Sequence, residues 1–395
     1  MRVPPVLALS AVLLCAACGG DRARPQPGDA GPGDFIEVRE FGWLTSLRRP
    51  QPAWHPSSRM LAARGREGLV LYHEGGRSPT VYSYSDKRQA YDPRWINAGE
   101  LVFGPEPAVQ RDADGRVLLP REGLRVTTYS RDGLSEPREL SEVGYRPRPW
   151  GRRGIVASAA ENIYIYDARG RRELFEVGFD PEPDPWGPGL AWRDKPFGLP
   201  DYWTEVEGLG NLYIRWGENS VTRLPRAVEP AWCSWGGLVA TVIDVPEPPG
   251  PVAAEPGAPA PPSSGAESVR DAVAARQGGA VVPVDPPEAT ASATDWWTPG
   301  TSVVYLPGPD AAPVVVGEGL RNPAPHPTEP VLAAVDRDGA VVLVACGTGE
   351  HRVTTVDPAG LRPVWSPDGT RLLYEQETDN PAVRYLAVSV FRIVD

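Results

Sequence analysis

Lysine is nearly missing from this chain. Of 40 basic residues only Lys87 and Lys195 are lysines, and both follow an aspartate, Asp86 and Asp194. A phosphate loop of the Walker type is thereby excluded, because it needs a lysine directly after a glycine. Positive charge as a whole is short: 51 acidic residues against 40 basic give a net charge of -11. No nucleic-acid partner is expected, since phosphate contacts need clustered Lys and Arg. Histidine is scarce too. His55, His73, His326 and His351 form no His-x-His or His-x-x-x-His pair, so a zinc-hydrolase motif is missing and no metal or other cofactor is expected. No Gly-x-Ser-x-Gly elbow occurs, which removes a common serine-hydrolase signature. No apolar run reaches the roughly 18 residues that a membrane-spanning helix needs.

What the chain has in quantity is proline and glycine, 47 and 42 of 395 residues. That approaches the level at which aperiodic Pro and Gly signal disorder. Yet 13 Trp, 13 Tyr and 7 Phe are more than a disordered chain normally holds. Both turn formers are poor in helices, so a helix bundle is not expected and a chain of short strands fits better.

Residues 1–17, MRVPPVLALSAVLLCAA, read as a secretory signal: one Arg, a short apolar stretch, then small residues. The sequence up to Gly20 resembles a bacterial lipobox, in which small residues precede a lipidated cysteine. Cys18 fits that position behind Ala16 and Ala17. Multiple acyl chains would tether the protein to a membrane without spanning it. Gly19 follows the cysteine where an inner-membrane retention signal has Asp, which points to the outer membrane. Residues 18–34 read as a flexible spacer. Beyond them only Cys233 and Cys346 remain, expected as two small buried residues or as a disulfide, which the compartment permits.

A unit recurs along the rest. Its clearest copy is Arg362-Pro-Val-Trp-Ser-Pro-Asp-Gly-Thr-Arg-Leu-Leu-Tyr374. Counterparts start at Gln51, Asp92, Glu229 and Asn322, the last with Pro325 in place of the Trp, and weaker copies lie near Pro147 and Pro185. The leading prolines at 52, 93, 147, 185, 230, 323 and 363 are separated by 41, 54, 38, 45, 93 and 40 residues. A period of about 40 is that of a four-stranded propeller blade. The longest step contains residues 245–295, a Pro/Ala-rich insertion that reads as disordered. Within a unit the Pro opens a strand where no ladder donor is needed. The Trp wedges between sheets, and an apolar strand, an alternating third strand and an outer strand follow.

The unit resembles the PD40, or WD40-like, repeat of TolB-like β-propellers over residues 35–395. The resemblance implies an all-β propeller of seven four-stranded blades, with six as the alternative. The strand beginning at Phe35 would complete the last blade. TolB-like proteins carry an α/β domain before the propeller, and the spacer leaves no room for it here. A lipid-anchored propeller of the cell envelope follows as the expectation, acting as a protein-binding scaffold or accessory subunit and not as an enzyme. The alternatives are a glycan- or peptide-processing enzyme using the central funnel, and a small-ligand sensor. An enzyme should gather carboxylates, Arg or His at one mouth of the channel, whereas a binder should expose apolar surface.

Few residues stand out as sites. His55 and His326 share one repeat position and so read as structural. Asp112-Ala-Asp114 and Asp336-Arg-Asp338 resemble calcium-loop fragments but lack the later acidic ligands, and read as hairpin turns. Glu182, Asp184, Glu205 and Glu207 form an acidic stretch amid Trp186, Trp192, Tyr202 and Trp203. With Trp296 and Trp297 these aromatics are the candidate binding surface.

Overall fold

In a computed structural model the described residues are 28–45, 50–74, 78–85, 90–105, 110–111, 117–118, 123–159, 162–194, 210–218, 220–244, 300–346, 353–380 and 383–394. They form seven antiparallel sheets arranged as blades, with a separate hairpin, Gln110–Arg111 against Val117–Leu118. The first strands of blades 1 to 7 are Ala53–Trp54, Tyr91–Asn97, Tyr145–Pro149, Phe179–Pro183, Ala227–Trp232, Arg321–Pro325 and Leu361–Trp365. These strands touch their counterparts in neighbouring blades, so they stand innermost around a central channel. The outer strand of blade 2 is split into Gly133–Leu134 and Arg138–Glu139. The hairpin of blade 2 accounts for the long step between its repeat and the next.

Closure follows the expected route. Phe35–Thr45 pairs antiparallel with Arg384–Ile393, from Phe35 opposite Ile393 to Thr45 opposite Arg384. Blade 7 is thus built from both ends of the chain, and the ring has no open blade.

Each second strand is sandwiched between two blades and is buried on both faces. Met60–Arg64, Ile155–Ala159 and Val331–Val335 are buried at every residue. A strand covered on both sides has no polar face, which explains why these segments do not alternate in the sequence. Seven apolar clusters result, one at each blade interface. Cys233 and Cys346 lie buried in the cluster between blades 5 and 6 and are not joined in a disulfide.

The repeat positions have directional roles. The residue two after the proline faces the preceding blade. In blades 1, 2 and 5 its indole N–H donates to a main-chain carbonyl there: Trp54 to Val364 O at 3.1 Å, Trp95 to Ala53 O at 3.3 Å, Trp232 to Glu182 O at 2.9 Å. The residue three after the proline faces the next blade, as the two-residue period of a strand requires. There His55 Nε2 donates to Ala98 O at 3.0 Å and His326 Nε2 to Gly369 O at 2.9 Å. Both rings meet the next blade's tryptophan edge-on, His55 on Trp95 and His326 on Trp365. The histidines are therefore inter-blade staples. In blade 3 the tryptophan is displaced by one residue to Trp150, and its indole accordingly reaches forward to Gly187 O at 3.2 Å.

Blade 4 corrects the repeat frame. Its opening proline is Pro181 in Phe179–Pro183, four residues before Pro185. Pro185 and Trp186 sit in the following turn, where Asp184 Oδ1 accepts from Trp186 N at 2.9 Å. The true copy, Pro181-Glu-Pro183, has proline at the tryptophan position, so the nearby Trp186 imitates the motif out of phase.

The segment Asp244–Gly300 separates from the propeller as a unit of its own and, apart from its end residues, lies outside the described residues, as do residues 1–27.

Candidate functional site

The innermost strands share one unusual backbone feature. The residue before every repeat proline has a positive φ although none is glycine: Gln51 48°, Asp92 49°, Arg146 51°, Asp180 52°, Glu229 54°, Asn322 47° and Arg362 50°. The following proline excludes the right-handed helical conformation, and the left-handed one costs roughly 1 kcal/mol or more per residue. In blades 2 to 7 the pairing with the second strand slips at this point. It is a bulge that re-aims a side chain. All seven of these side chains are polar or charged.

Several strained amides are captured by the preceding blade. Gln51 Oε1 accepts from Asp92 N at 3.0 Å, Ser158 Oγ from Asp180 N at 3.1 Å, and Glu229 Oε2 from Asn322 N at 3.0 Å. The bulges thus lock neighbouring blades together around the channel mouth.

Ion pairs link the same positions. Asp92 accepts from Arg148 Nη1 at 2.5 Å and pairs with Arg94 at 2.7 Å. Arg148 Nε also donates to Glu182 at 3.0 Å, Arg146 pairs with Asp180, and Arg362 Nη1 pairs with the buried Glu375 at 3.3 Å. Burial alone would raise the Asp92 carboxyl, but Arg148 and Arg94 hold it below the usual carboxylate range. Burial opposes the charge of Arg148, yet Asp92 and Glu182 outweigh it and raise the guanidinium further. Burial wins at Arg193 and Arg321, both lowered to about 10.

Glu229 behaves differently. Burial pushes its carboxyl above the usual range, against hydrogen bonds from Asn322 and Thr241 and the charges of Arg362 and Arg321. Thr241 Oγ1 donates to Glu229 Oε2 at 3.0 Å, and Asn322 Nδ2 donates to Oε1. Arg64 lies 5.3 Å over the Tyr91 ring, which also interacts with Arg146 and Arg362. Among the described residues the channel mouth is therefore one connected electrostatic network in which the arginines named outnumber the carboxylates named, inside an acidic protein. Its walls differ. Arg94, Arg148 and Glu182 follow the prolines of blades 2 to 4, whereas Ala231, Ala324, Val364 and Ala53 hold that place in blades 5, 6, 7 and 1.

Of the residues expected as a binding surface, Trp186 and Trp192 lie within the described residues. Trp192 is 5% exposed, stacked on Tyr213 in the core between blades 3 and 4, which removes it from any surface. Trp186 is half-buried against the cluster between blades 4 and 5. Tyr202, Trp203, Trp296, Trp297, Glu205, Glu207 and the lipidation residue Cys18 lie outside the described residues. Glu182 faces the channel network while Asp184 caps a turn, so these two acidic residues serve different places. Asp336 Oδ1 accepts from Asp338 N at 2.9 Å and Ala340 N at 2.8 Å, the hairpin turn expected there. Asp112 and Asp114 fall outside the described residues. The sequence reading missed the bulge ring. Its signal was the polar residue before each proline.

A cleft of about 650 Å³ opens between blades 4 and 5 on the face where the first strands end. Trp216, Trp232 and the glycine- and proline-rich turns line it, with Glu218 beside them.

The fold defines a seven-bladed β-propeller. Solved structures similar to it include the Dos1 propeller, at 12% identity over 92% of this chain and 99% of that one, with a TM-score of 0.49. The β-propeller domain of Myceliophteria thermophila Cps50 (Swd1) is similar at 11% identity over 90% and 99%, with a TM-score of 0.48. TolB from Acinetobacter baumannii matches at 12% identity over 93% and 86%, with a TM-score of 0.37. No family model matches the chain, and no curated protein is similar to it in sequence.

Proposed function

We propose that this chain is a lipid-anchored β-propeller of the bacterial cell envelope that holds a protein partner, as a scaffold or accessory subunit. The observation that carries the binding reading is at the rim. Leu174, Val177, Val221, Val81, Val314 and Val315 are among the most exposed large apolar residues, and all lie on outer strands. An outer strand has one unpaired backbone edge, so exposed apolar side chains on it suit strand addition by a partner. The envelope address rests on residues 1–17 and Cys18.

The enzyme alternative draws support from the carboxylates and arginines gathered at the channel mouth. Against it, Asp92, Asp180, Glu182 and Glu375 each pair with an arginine. A general acid needs a carboxyl raised toward neutral pH; Asp92 is held below the usual range, and Glu229, which burial raises, is already engaged by Thr241 and Asn322.

Crosslinking of intact envelopes followed by purification tests the proposal. A stoichiometric partner is expected with the wild type and is lost when Leu174→Lys and Val221→Lys are combined. Absence of a partner together with turnover of a polysaccharide or peptide would overturn the scaffold reading. Cys18→Ala is expected to release the protein from membranes, checked by fractionation, and continued sedimentation with membranes would count against the lipid anchor.

A further inference from the structure

The rim does not explain why the channel mouth of an acidic protein should be rich in arginine. Most of those arginines are held by carboxylates on the blade 2 to 4 side. Arg362, on the opposite side, is different: half of its side chain, 51%, is exposed. Only Nη1 of its guanidinium is committed to Glu375, at a long 3.3 Å. Beside it the inner strands carry Val364, 37% exposed, and the small Ala324 and Ala231. An approaching anion therefore meets a cation over a low, apolar floor, with no competing polar side chain at those positions. Arg94 and Arg148, 29% and 19% exposed, keep part of the far wall open to solvent as well.

We propose that the channel mouth is a carboxylate receptor for an acidic protein segment, entered at Arg362. The guanidinium fork is the group best matched to a carboxylate. Walls that concentrate one sign of charge in a recess focus its field, so the positive mouth selects anions even within a protein of net charge -11. A segment fits better than a small anion because the cations stand on different blades. Arg362 and Arg321 come from blades 7 and 6, Arg94 and Arg148 from blades 2 and 3. One carboxylate cannot serve both walls, whereas acidic side chains spaced along a chain can. Seven positive-φ residues, six of them in bulges, hold this geometry, the cost that a preorganised site carries. The inference rests on the protein-binding reading but not on the rim.

The test uses a fluorescein-labelled peptide of alternating Glu and Gly, read by fluorescence anisotropy on the full chain. Saturable binding is expected, with no binding of the matching Lys-Gly peptide. Arg362→Gln alone would strand the buried Glu375, so it is combined with Glu375→Gln, and an unchanged melting temperature reports an intact fold. That double variant is expected to bind the Glu-Gly peptide at least 10-fold more weakly. No saturable binding, equal binding by the folded double variant, or equal competition by free glutarate and peptide at one molar concentration would each overturn the proposal. The rim variant combining Leu174→Lys and Val221→Lys should keep the peptide while losing the envelope partner. A partner captured without peptide binding removes only the channel site. Peptide binding without a captured partner removes the rim instead.

Discussion

Glu229 sets the most testable behaviour of a single residue. Its carboxyl is raised by burial, so the folded chain holds a proton that the unfolded chain releases. The stability this contributes is present below the ordinary carboxylate range and is lost as pH rises through the raised folded value. Glu229→Gln keeps an acceptor for Asn322 and removes the buried charge. Melting temperatures between pH 4 and 8 are expected to fall less steeply on the alkaline side in the variant, and an identical pH profile would count against the assignment. At the same scale the histidines were legible and the bulges were not. His55 and His326 shared a repeat position, and shared position implies shared packing. The residue before the proline changes identity from blade to blade, so only its polarity recurs, and a positive φ in a non-glycine residue leaves no fixed sequence mark.

Between elements, the tryptophan two residues after the proline does more than fill space. Trp232 donates to Glu182 O and packs edge-on against Trp216, so it joins blades 4 and 5 by a hydrogen bond and an apolar wedge. Trp232→Phe keeps most of the wedge and loses the donor, which should cost about 1 kcal/mol. Trp232→Ala loses both and should cost about 3–5 kcal/mol. Denaturant unfolding separates the two, and equal losses would mean that the hydrogen bond contributes nothing. Six of the seven repeat starts could be placed from proline spacing, five of them with a tryptophan two or three residues on. Blade 4 could not, because Pro183 occupies its wedge position and Pro185-Trp186 lies a few residues on. Spacing locates a blade but cannot tell a strand tryptophan from a turn tryptophan.

For the molecule as a whole, the ring should be indifferent to its longest insertion. Strands Leu238–Asp244 and Gly300–Leu306 pair directly within blade 5. Replacing residues 245–299 by a four-residue turn therefore removes a closure cost on the order of 2 kcal/mol. An unchanged or higher melting temperature is expected by calorimetry, and a large loss would show that the insertion supports the propeller. The repeat count, the four strands per blade and the closing strand from Phe35 were all readable in the sequence, because each blade buries its apolar residues by a local pattern that recurs. The channel network was not readable. Arg362 and Glu375 are near in sequence, but Arg148 meets Asp92 across 56 positions and Asn322 meets Glu229 across 93. Local spacing determined the strands and their number. Only closure of the ring brought the residue before each proline to a common axis, and there the charges of distant blades became one site.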